Sequence, residues 1–180
     1  MIGPLIIQSD LPMPPAVPSS DRLGQILEAK RREVEERRAE ADLGALERAA
    51  RAQVRRTFAS ALVRTGRAII AEMKQRSPSK GVLCKNYRPE TLAHAYFQGG
   101  ACALSVLTDG PFFGGALEDL AAVRKVMPLP LLRKDFLIDE FQLLESAAAG
   151  ADAVLLIVAD RKSTRLNSSH IQKSRMPSSA

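Results

Sequence analysis

Two side chains of opposite charge, Glu72 and Lys74, lie two residues apart at the end of the apolar run 68–73. Side chains at positions i and i+2 of a strand leave on the same face, so these two groups would project together. The segment Ser77–Gly81 follows and contains two serines, a proline, a lysine and a glycine, which predicts a compact loop. A strand with a purely structural role does not need a carboxylate beside an ammonium group. The pattern therefore predicts a functional site at this strand end.

Polar side chains also follow the later apolar runs. The third run ends in Arg133 and Lys134, and Lys134 shares a strand face with Phe136. Two lysines at adjacent strand ends beside a carboxylate could bind an anion, or donate protons where desolvation lowers their pKa. Phe113 and Phe136 could form an apolar wall for an aromatic substrate. The other strand-end candidates are Ser105, Thr108, Asp109, Asp135 and Asp160. Each residue alone could be a surface ion pair or contact, but their recurrence at successive strand ends favours a function.

Short apolar runs alternate with amphipathic helices from residue 68 onward. The predicted strands are 68–73, 103–107, 130–133 and 153–158, and the predicted helices between them are 89–97, about 117–123, and 140–149 with a cap at Asp139. Runs that are continuously apolar indicate a parallel α/β sheet covered on both faces. Four βα units in a row suit a doubly wound sheet or part of a (β/α)8 TIM barrel, and periodicity does not choose between them.

The N-terminal part is predicted to be a helical extension. Ser20 and Asp21 can cap a first helix, and two more helices follow at about 43–55 and 58–63. The run 30–38 mixes basic and acidic residues at three- and four-residue spacing, which is typical of a solvated helix face with local ion pairs. Its interleaved glutamates and lack of aromatic residues argue against an RNA-binding strip.

The formal net charge of +6 is concentrated at one end of the chain. Residues 161–180 contain five lysines or arginines and no acidic residue, which leaves only +1 for residues 1–160. Aromatic residues make up 4% of the chain, too few to supply stacking platforms for bases. We therefore expect no nucleic-acid partner.

The composition, 46% hydrophobic and 26% charged, is that of one ordinary globular domain. Cys84 and Cys102 make no disulfide framework, and no cysteine–histidine cluster predicts a zinc site, so we expect no metal. No run approaches the roughly 20 apolar residues of a membrane span. The proline-rich segment 1–20 lacks the features of a signal peptide and is predicted to be a flexible leader. These features predict a cytoplasmic protein without a membrane partner.

The C-terminal residues 161–180 do not continue the βα pattern. They are polar, rich in serine and without periodicity. They resemble translated sequencing-adapter read-through, which would make them foreign to the fold; a natural disordered basic tail is the alternative. The predicted organisation is a leader at 1–20, a helical extension at 21–66, βα units at 67–160 and this tail at 161–180.

Four segments together resemble the indole-3-glycerol phosphate synthase family. They are Ile69–Gly81, which contains Glu72, Lys74 and the run Ser77-Pro78-Ser79-Lys80-Gly81, then Ser105–Gly115, Leu132–Phe136 and Gly150–Val158, in the family's order and approximate spacing. The helical extension is also similar, so the resemblance covers about residues 21–160. It implies a (β/α)8 barrel, of which this chain holds the extension and the first four βα units.

The resemblance implies a carboxy-lyase of tryptophan biosynthesis that closes the pyrrole ring of indole. Its expected substrate is the phosphorylated small molecule 1-(2-carboxyphenylamino)-1-deoxyribulose 5-phosphate, which condenses and loses CO2 and water without a cofactor or metal. By position, Lys134 is the implied general acid that protonates the ribulose carbonyl oxygen. Lys74 is implied to hold the substrate carboxylate and assist proton transfer, and Glu72 to orient these groups. The implied substrate-binding residues are Ser77 at the phosphate and Phe113, Phe136 and Leu155 around the aromatic ring.

The resemblance stops after the fourth predicted strand. The family's general-base glutamate and its remaining phosphate-binding loops come later, so we expect residues 1–180 alone to be inactive. Unpaired strand edges and exposed apolar faces would also make them prone to aggregate. Ring-closing turnover together with a cooperative monomeric melt of this polypeptide would contradict that expectation.

Two other interpretations remain open. One is another phosphate-binding barrel of tryptophan or histidine biosynthesis, and the other is a non-catalytic interaction module built on half a barrel. The glutamate–lysine pair followed by Ser77–Gly81 favours the synthase family over the first. The presence of Glu72, Lys74 and Lys134 in a sound context argues against the second. The sequence is compatible with a free enzyme and with one fused to, or associated with, another enzyme of its pathway.

Overall fold

The computed structural model describes residues 22–63 and 66–157. The predicted leader, the predicted tail, Asp21 and Asp160 lie outside these residues. The helices are α1 (Arg22–Glu40), α2 (Leu43–Ala52), α3 (Phe58–Leu62), α4 (Pro89–Gln98), α5 (Gly110–Phe113), α6 (Leu117–Val126) and α7 (Glu140–Ala149). The strands are β1 (Ile70–Met73), β2 (Arg76–Ser77), β3 (Gly81–Val82), β4 (Ala103–Leu107), β5 (Leu131–Lys134) and β6 (Ala153–Val154).

The main sheet has four parallel strands in the order β1-β4-β5-β6. Each crossover moves one strand further in the same direction, whereas a doubly wound sheet reverses its strand order at a switch point. Strand and helix alternate along the chain in the manner of a barrel wall. The strand order thus excludes the doubly wound sheet, which periodicity alone allowed. The α/β fold is part of a (β/α)8 barrel.

The two faces of this sheet have different surroundings. Met73, Leu104, Val106 and Leu131 point towards the helices and form one buried core with Leu120, Val123 and other apolar residues of the helix layer. The register pairs Glu72 with Ser105 and Leu107 with Lys134, so these residues share the opposite face. The sequence predicted cover on both faces. In the described residues the helix layer covers one face, because the second face of a barrel sheet points to the barrel interior.

The ends of the helices follow the predicted capping chemistry. Asp139 caps α7: its side chain accepts a hydrogen bond from the Phe141 amide at 2.7 Å, and its own amide donates to the Gln142 side chain at 3.1 Å. The helix ends at Gly150, whose φ of 92° is unfavourable for a residue with a Cβ atom. Pro89 begins α4 as predicted.

Two predicted boundaries are wrong. Helix α2 ends at Ala52 rather than near residue 55. The residues that follow it are not helical, because they make contacts with the βα units. The Arg56 amide donates to Asp152 at 2.7 Å, and its guanidinium donates to the Leu129 carbonyl at 2.8 Å. Strand β6 pairs only over Ala153–Val154, shorter than the predicted 153–158, and residues from 158 onward are not described.

Two short segments outside the predicted helices and strands contain regular structure. Residues 76–82 form the antiparallel hairpin β2–β3, and Gly110–Phe113 forms the short helix α5. Asp109 caps α5 by accepting a hydrogen bond from the Phe112 amide at 2.9 Å. Elements of two to four residues carry no periodicity, so the sequence could not predict them.

Gly115 follows α5 and lies against the backbone at the end of β4. A Cβ atom at this position would overlap the Leu107 carbonyl oxygen and lie 2.7 Å from its carbonyl carbon. We expect Gly115→Ala to destabilise β4 by about 1–3 kcal/mol, because the overlapping atoms are backbone and cannot move aside. Hydrogen exchange of the β4 amides should then become faster by about tenfold or more.

Gly99→Ala is the matched control for this variant. A Cβ atom there comes no closer than 3.4 Å to another atom, and φ is −74°. Its β4 exchange rates should equal those of the parent chain. Equal rates in both variants would show that the backbone at Gly115 can move aside.

Candidate functional site

Glu72, Lys74 and Lys134 meet at the carboxyl end of the sheet. Lys74 Nζ lies 2.8 Å from Glu72 Oε1, and Lys134 Nζ donates to Glu72 Oε2. The sequence placed the two lysines on adjacent strand ends, but β4 lies between β1 and β5. The two lysines still converge, because each of the two carboxylate oxygens of Glu72 binds one of their ammonium groups. Each of the three side chains is about one-third exposed, so a ligand can reach them.

The charge balance of this cluster favours an ionised Glu72. Burial alone would raise the pKa of Glu72, but the hydrogen bonds from Lys134 and Lys74 outweigh burial and lower it below its ordinary value. Two ammonium groups around one carboxylate leave one positive charge uncompensated. The cluster can therefore attract an anionic group beside its two ammonium groups, which are hydrogen-bond donors.

A cavity of about 470 Å³ opens beside Lys74. It is lined by Lys74, Ser77, Pro78, Ser79, Lys80, Leu83 and Phe113. The Lys80 amide donates to Ser77 Oγ at 3.2 Å, which holds the turn of the β2–β3 hairpin together. A lining that combines serine hydroxyls and ammonium groups with Leu83 and Phe113 suits a ligand that is both anionic and aromatic.

The hairpin and α5 are joined by Arg76. Its guanidinium donates to the carbonyl of Gly110 at 3.3 Å and also to the carbonyl of Pro111. The ring of Phe113 in α5 lies 6.3 Å from the ring of Phe136 between centroids, and the two rings are tilted by 35°. Sequence reasoning predicted both aromatic residues but not Arg76, because its role depends on a contact 34 residues away.

Leu155 is the predicted site residue that has the weakest support from the structure. Its amide donates to the Arg133 carbonyl at 3.3 Å, so its backbone lies beside the end of β5. Its side chain is 38% exposed and does not line the cavity. The structure thus gathers Glu72, Lys74 and Lys134 into one cluster and Ser77 and Phe113 into the adjoining cavity, with Phe136 against Phe113.

A buried ion cluster behind the site was missed by sequence reasoning. Lys30 of α1 is only 1% exposed, and its Nζ lies 3.0 Å from Asp109 Oδ2 and 3.0 Å from Asp135 Oδ1. Glu33 contacts the same nitrogen at 2.7 Å. The prediction that residues 30–38 form a solvated face is therefore wrong for Lys30. Its neighbours on the helix give the reason: Ile26 and Val34, four residues before and after it, are both buried.

Arg133 completes this cluster from β5. Its guanidinium donates to Thr108 Oγ1 at 3.0 Å, Asp135 Oδ2 at 2.9 Å, and both the carbonyl of Gln142 and the hydroxyl of Ser146 in α7. Arg133 lies on the helix side of the sheet, whereas the adjacent Lys134 lies on the site side. Of the predicted strand-end candidates, Arg133, Asp135, Thr108 and Asp109 therefore support the site from behind.

In the part of the chain that the structure describes, no group of three or more histidine, cysteine or acidic side chains is arranged to hold a metal ion. Among the helices of the same residues, none has both the length and the apolar character needed to cross a bilayer.

The fold and the site together define a class of protein, a (β/α)-barrel with a lysine–glutamate–lysine cluster at the carboxyl ends of its strands. A family model of indole-3-glycerol phosphate synthase matches residues 23–172. The chain belongs to the indole-3-glycerol phosphate synthase family.

Curated relatives agree with this assignment. Indole-3-glycerol phosphate synthase 2 of Streptomyces coelicolor is 57% identical over 120 residues, which cover 67% of this chain and 46% of that protein. The synthase of Rhodospirillum rubrum is 48% identical over 145 residues, covering 78% and 55%, and that of a Roseiflexus species is 51% identical over 146 residues, covering 76% and 54%. The chain thus spans about half the length of the curated relatives it matches.

Because the chain spans only about half the length of these relatives, we refer tests of activity and global stability to a longer protein. We define the completed barrel as residues 1–157 of this chain followed by the corresponding remaining sequence of the Streptomyces relative. The family match extends to residue 172, beyond the boundary at 160 that the sequence predicts.

The carboxylate of Asp135 predicts a pH dependence of stability. Burial alone would raise the pKa of Asp135, but Lys30, Arg133 and the hydrogen bond from Thr108 lower it below its ordinary value. A lowered folded-state pKa contributes stability above the unfolded value of about 3.9, and that stability is lost as the pH falls through the folded value.

Asp135→Asn in the completed barrel tests this dependence. Urea unfolding should show a loss of about 3 kcal/mol at neutral pH, because Lys30 and Arg133 lose a buried counter-ion. The gap between variant and parent should stay constant down to about pH 5 and shrink below about pH 4. A gap that is the same at pH 3 as at neutral pH would contradict the lowered pKa.

Proposed function

We propose that this chain supplies the acid half of an indole-3-glycerol phosphate synthase active site. The observation that carries the proposal is the convergence of Lys74 and Lys134, from two different strands, on the two oxygens of Glu72. A structural ion pair needs only one cation. A second ammonium group beside an open cavity is suited to an anionic substrate that must also be protonated.

The proposed substrate, 1-(2-carboxyphenylamino)-1-deoxyribulose 5-phosphate, has three groups that correspond to the described side chains. Its carboxylate suits the Lys74 ammonium group, which lines the cavity. Its phosphate suits Ser77 and the nearby Lys80 in the hairpin turn. Its aromatic ring suits the apolar surface of Phe113 and Phe136, with Leu155 proposed as a further contact.

Lys134 is the proposed general acid for ring closure. As the ring carbon attacks the ribulose ketone, the carbonyl oxygen gains negative charge and takes a proton from Lys134 Nζ. Glu72 holds this nitrogen in place before the reaction and stabilises its charge. Loss of CO2 from the carboxylate-bearing carbon then restores the aromatic ring, and loss of water completes the pyrrole. The proposed mechanism uses no cofactor or metal.

A cytoplasmic location forms part of the proposal, because a phosphorylated substrate does not cross a membrane unaided. The proposal includes no nucleic-acid or membrane partner. The alternative of a non-catalytic interaction module is not favoured, because it gives no reason to gather two lysines and a glutamate, each partly desolvated, beside a cavity.

The test is to complete the barrel and measure ring closure. We expect the completed barrel to form indole-3-glycerol phosphate from the substrate and to restore growth without tryptophan in a bacterial strain that lacks its own synthase. We expect the 180-residue chain to do neither. A completed barrel that folds, by circular dichroism and cooperative unfolding, but forms no product would overturn the proposal and favour the interaction module.

A further inference from the structure

We propose that Lys30, in the N-terminal extension, is a positioning residue that sets the geometry of Lys134 and of the Phe113–Phe136 wall. This inference rests on the proposed function for its catalytic consequence, but its structural part stands on the contacts alone. It gives α1 a specific role in the site, beyond covering the barrel.

The first contact that supports it runs through Asp135, the residue between Lys134 and Phe136. Asp135 Oδ1 lies 3.0 Å from Lys30 Nζ and accepts a hydrogen bond from the Phe136 amide at 2.8 Å. Its other oxygen is held by Thr108 at 2.7 Å and by Arg133. With the Asp135 side chain fixed on the helix side of the sheet, Lys134 and Phe136 are turned to the opposite side, towards the site.

The second contact runs through Asp109. Lys30 Nζ lies 3.0 Å from Asp109 Oδ2, while Asp109 Oδ1 accepts the hydrogen bond that caps α5. Helix α5 carries Phe113, whose ring contacts Phe136. One ammonium group from α1 therefore holds both segments that form the aromatic wall, and joins the ends of β4 and β5 to each other.

The charges of the cluster show why Lys30 must be a cation. The side chains of Lys30, Arg133, Asp109 and Asp135 are each at most 1% exposed, and the formal charges of these four sum to zero. Glu145, which lies 3.5 Å from Arg133, is itself paired with Arg37 at 2.9 Å. Burial alone would lower the pKa of Lys30, but Asp135, Glu33 and Asp109 raise it above its ordinary value. Loss of Lys30 would leave a net negative charge buried behind the site, and the segments bearing Asp109 and Asp135 would move apart or towards water.

The first experiment uses the 180-residue chain and needs no substrate. The monomeric fraction is acetylated briefly, and the rate at each lysine is measured by mass spectrometry, with the exposed Lys125 of α6, outside the site, as the internal reference. We expect Lys30→Met to raise the rate at Lys134 about tenfold, because the hydrogen bond to Glu72 that restrains this amine is loosened. The rate at Lys125 should not change.

Two further variants keep this experiment decisive. Lys30→Met combined with Asp109→Asn removes one charge of each sign, so Arg133 and Asp135 still neutralise each other, and asparagine can still cap α5. We expect the same rise at Lys134 in this variant if Lys30→Met alone does not fold. Arg124→Met is the matched control, because it breaks another buried ion pair, with Asp152, which also binds the Leu131 amide at the opposite end of β5.

The second experiment measures kinetics in the completed barrel. We expect both Lys30 variants to lower kcat about tenfold, by misplacing the acid, with a smaller change in KM, and Arg124→Met to leave kcat unchanged. A parental Lys134 acetylation rate in the folded double variant, or an equal rise in Arg124→Met, would overturn the inference. A parent completed barrel without turnover would instead overturn the proposed function, while the acetylation rates would still decide the role of Lys30.

Discussion

Replacing Lys134 by methionine is expected to lower kcat of the completed barrel by about 10²–10⁴-fold, the range typical of a lost general acid. Methionine keeps much of the length and apolar volume of lysine but cannot donate a proton. The attacked ketone then has to take its proton from water. The loss should appear mainly in kcat, because the substrate contacts proposed for the cavity around Lys74 and Ser77 would remain.

The measurement is a steady-state assay of indole-3-glycerol phosphate formation, accompanied by an unfolding curve for each variant. Lys125→Met is the control, because Lys125 is an exposed lysine in the last turn of α6, away from the strand ends. It should leave kcat and KM unchanged. If Lys134→Met retained kcat within about threefold of the parent, another group would have to be the acid.

Lys74→Met distinguishes the two lysines of the cluster. Lys74 is proposed to bind the substrate carboxylate, so its loss should raise KM as well as lower kcat, whereas loss of Lys134 should act chiefly on kcat. An identical effect of both substitutions on both constants would show that the two lysines act as one unit around Glu72.

Replacing Arg133 by methionine is expected to have the largest effect on stability, a loss of about 3–5 kcal/mol in the completed barrel. Arg133 is buried and joins Thr108, Asp135 and two groups of α7. Its removal leaves Asp135 with Lys30 as its remaining cation and leaves the Gln142 carbonyl without this donor. A loss of this size can consume much of the stability of a typical domain.

Urea unfolding with two comparison variants separates the buried charge from lost packing. Arg133→Met combined with Asp135→Asn should be less destabilised than the sum of the two single variants, because each single change leaves the other charge without its partner. Arg51→Met, which removes an exposed pair with Glu47 on α2, should change stability by no more than about 0.5 kcal/mol. Additive single effects would show that Arg133 and Asp135 do not stabilise each other.

The fold was largely predictable because it depends on local patterns. The helices of the βα units, the strand at Ala103–Leu107 and the caps at Asp139 and Pro89 follow from periodicity and from capping chemistry, and the structure confirms them. The β2–β3 hairpin and α5 were not predictable, since elements so short are set by their partners. Arg76, for example, ties the hairpin to the carbonyls of α5.

The site was predictable in its residue types but not in its contacts. Spacing alone placed Glu72 and Lys74 on one face, and the strand end marked Lys134. That both lysines bind the same carboxylate depends on the register of β1, β4 and β5, which no local pattern encodes. The role of Lys30 was hidden for a related reason: a lysine within a run of mixed charges looks solvated until its partners, about 80 and 105 residues later in the chain, are brought against it.

The sequence by itself determined the family, the βα order and the chemical groups of the strand-end cluster, because each is encoded by residues close together in the chain. Only the tertiary structure decided which strand-end residues lie on the side of the candidate site and which face the helices. Arg133 and Lys134 are neighbours in sequence, yet the pleat of β5 sends one into a buried ion cluster and the other into the site. Charge alone cannot reveal this division, because it depends on which side of the sheet the helices cover.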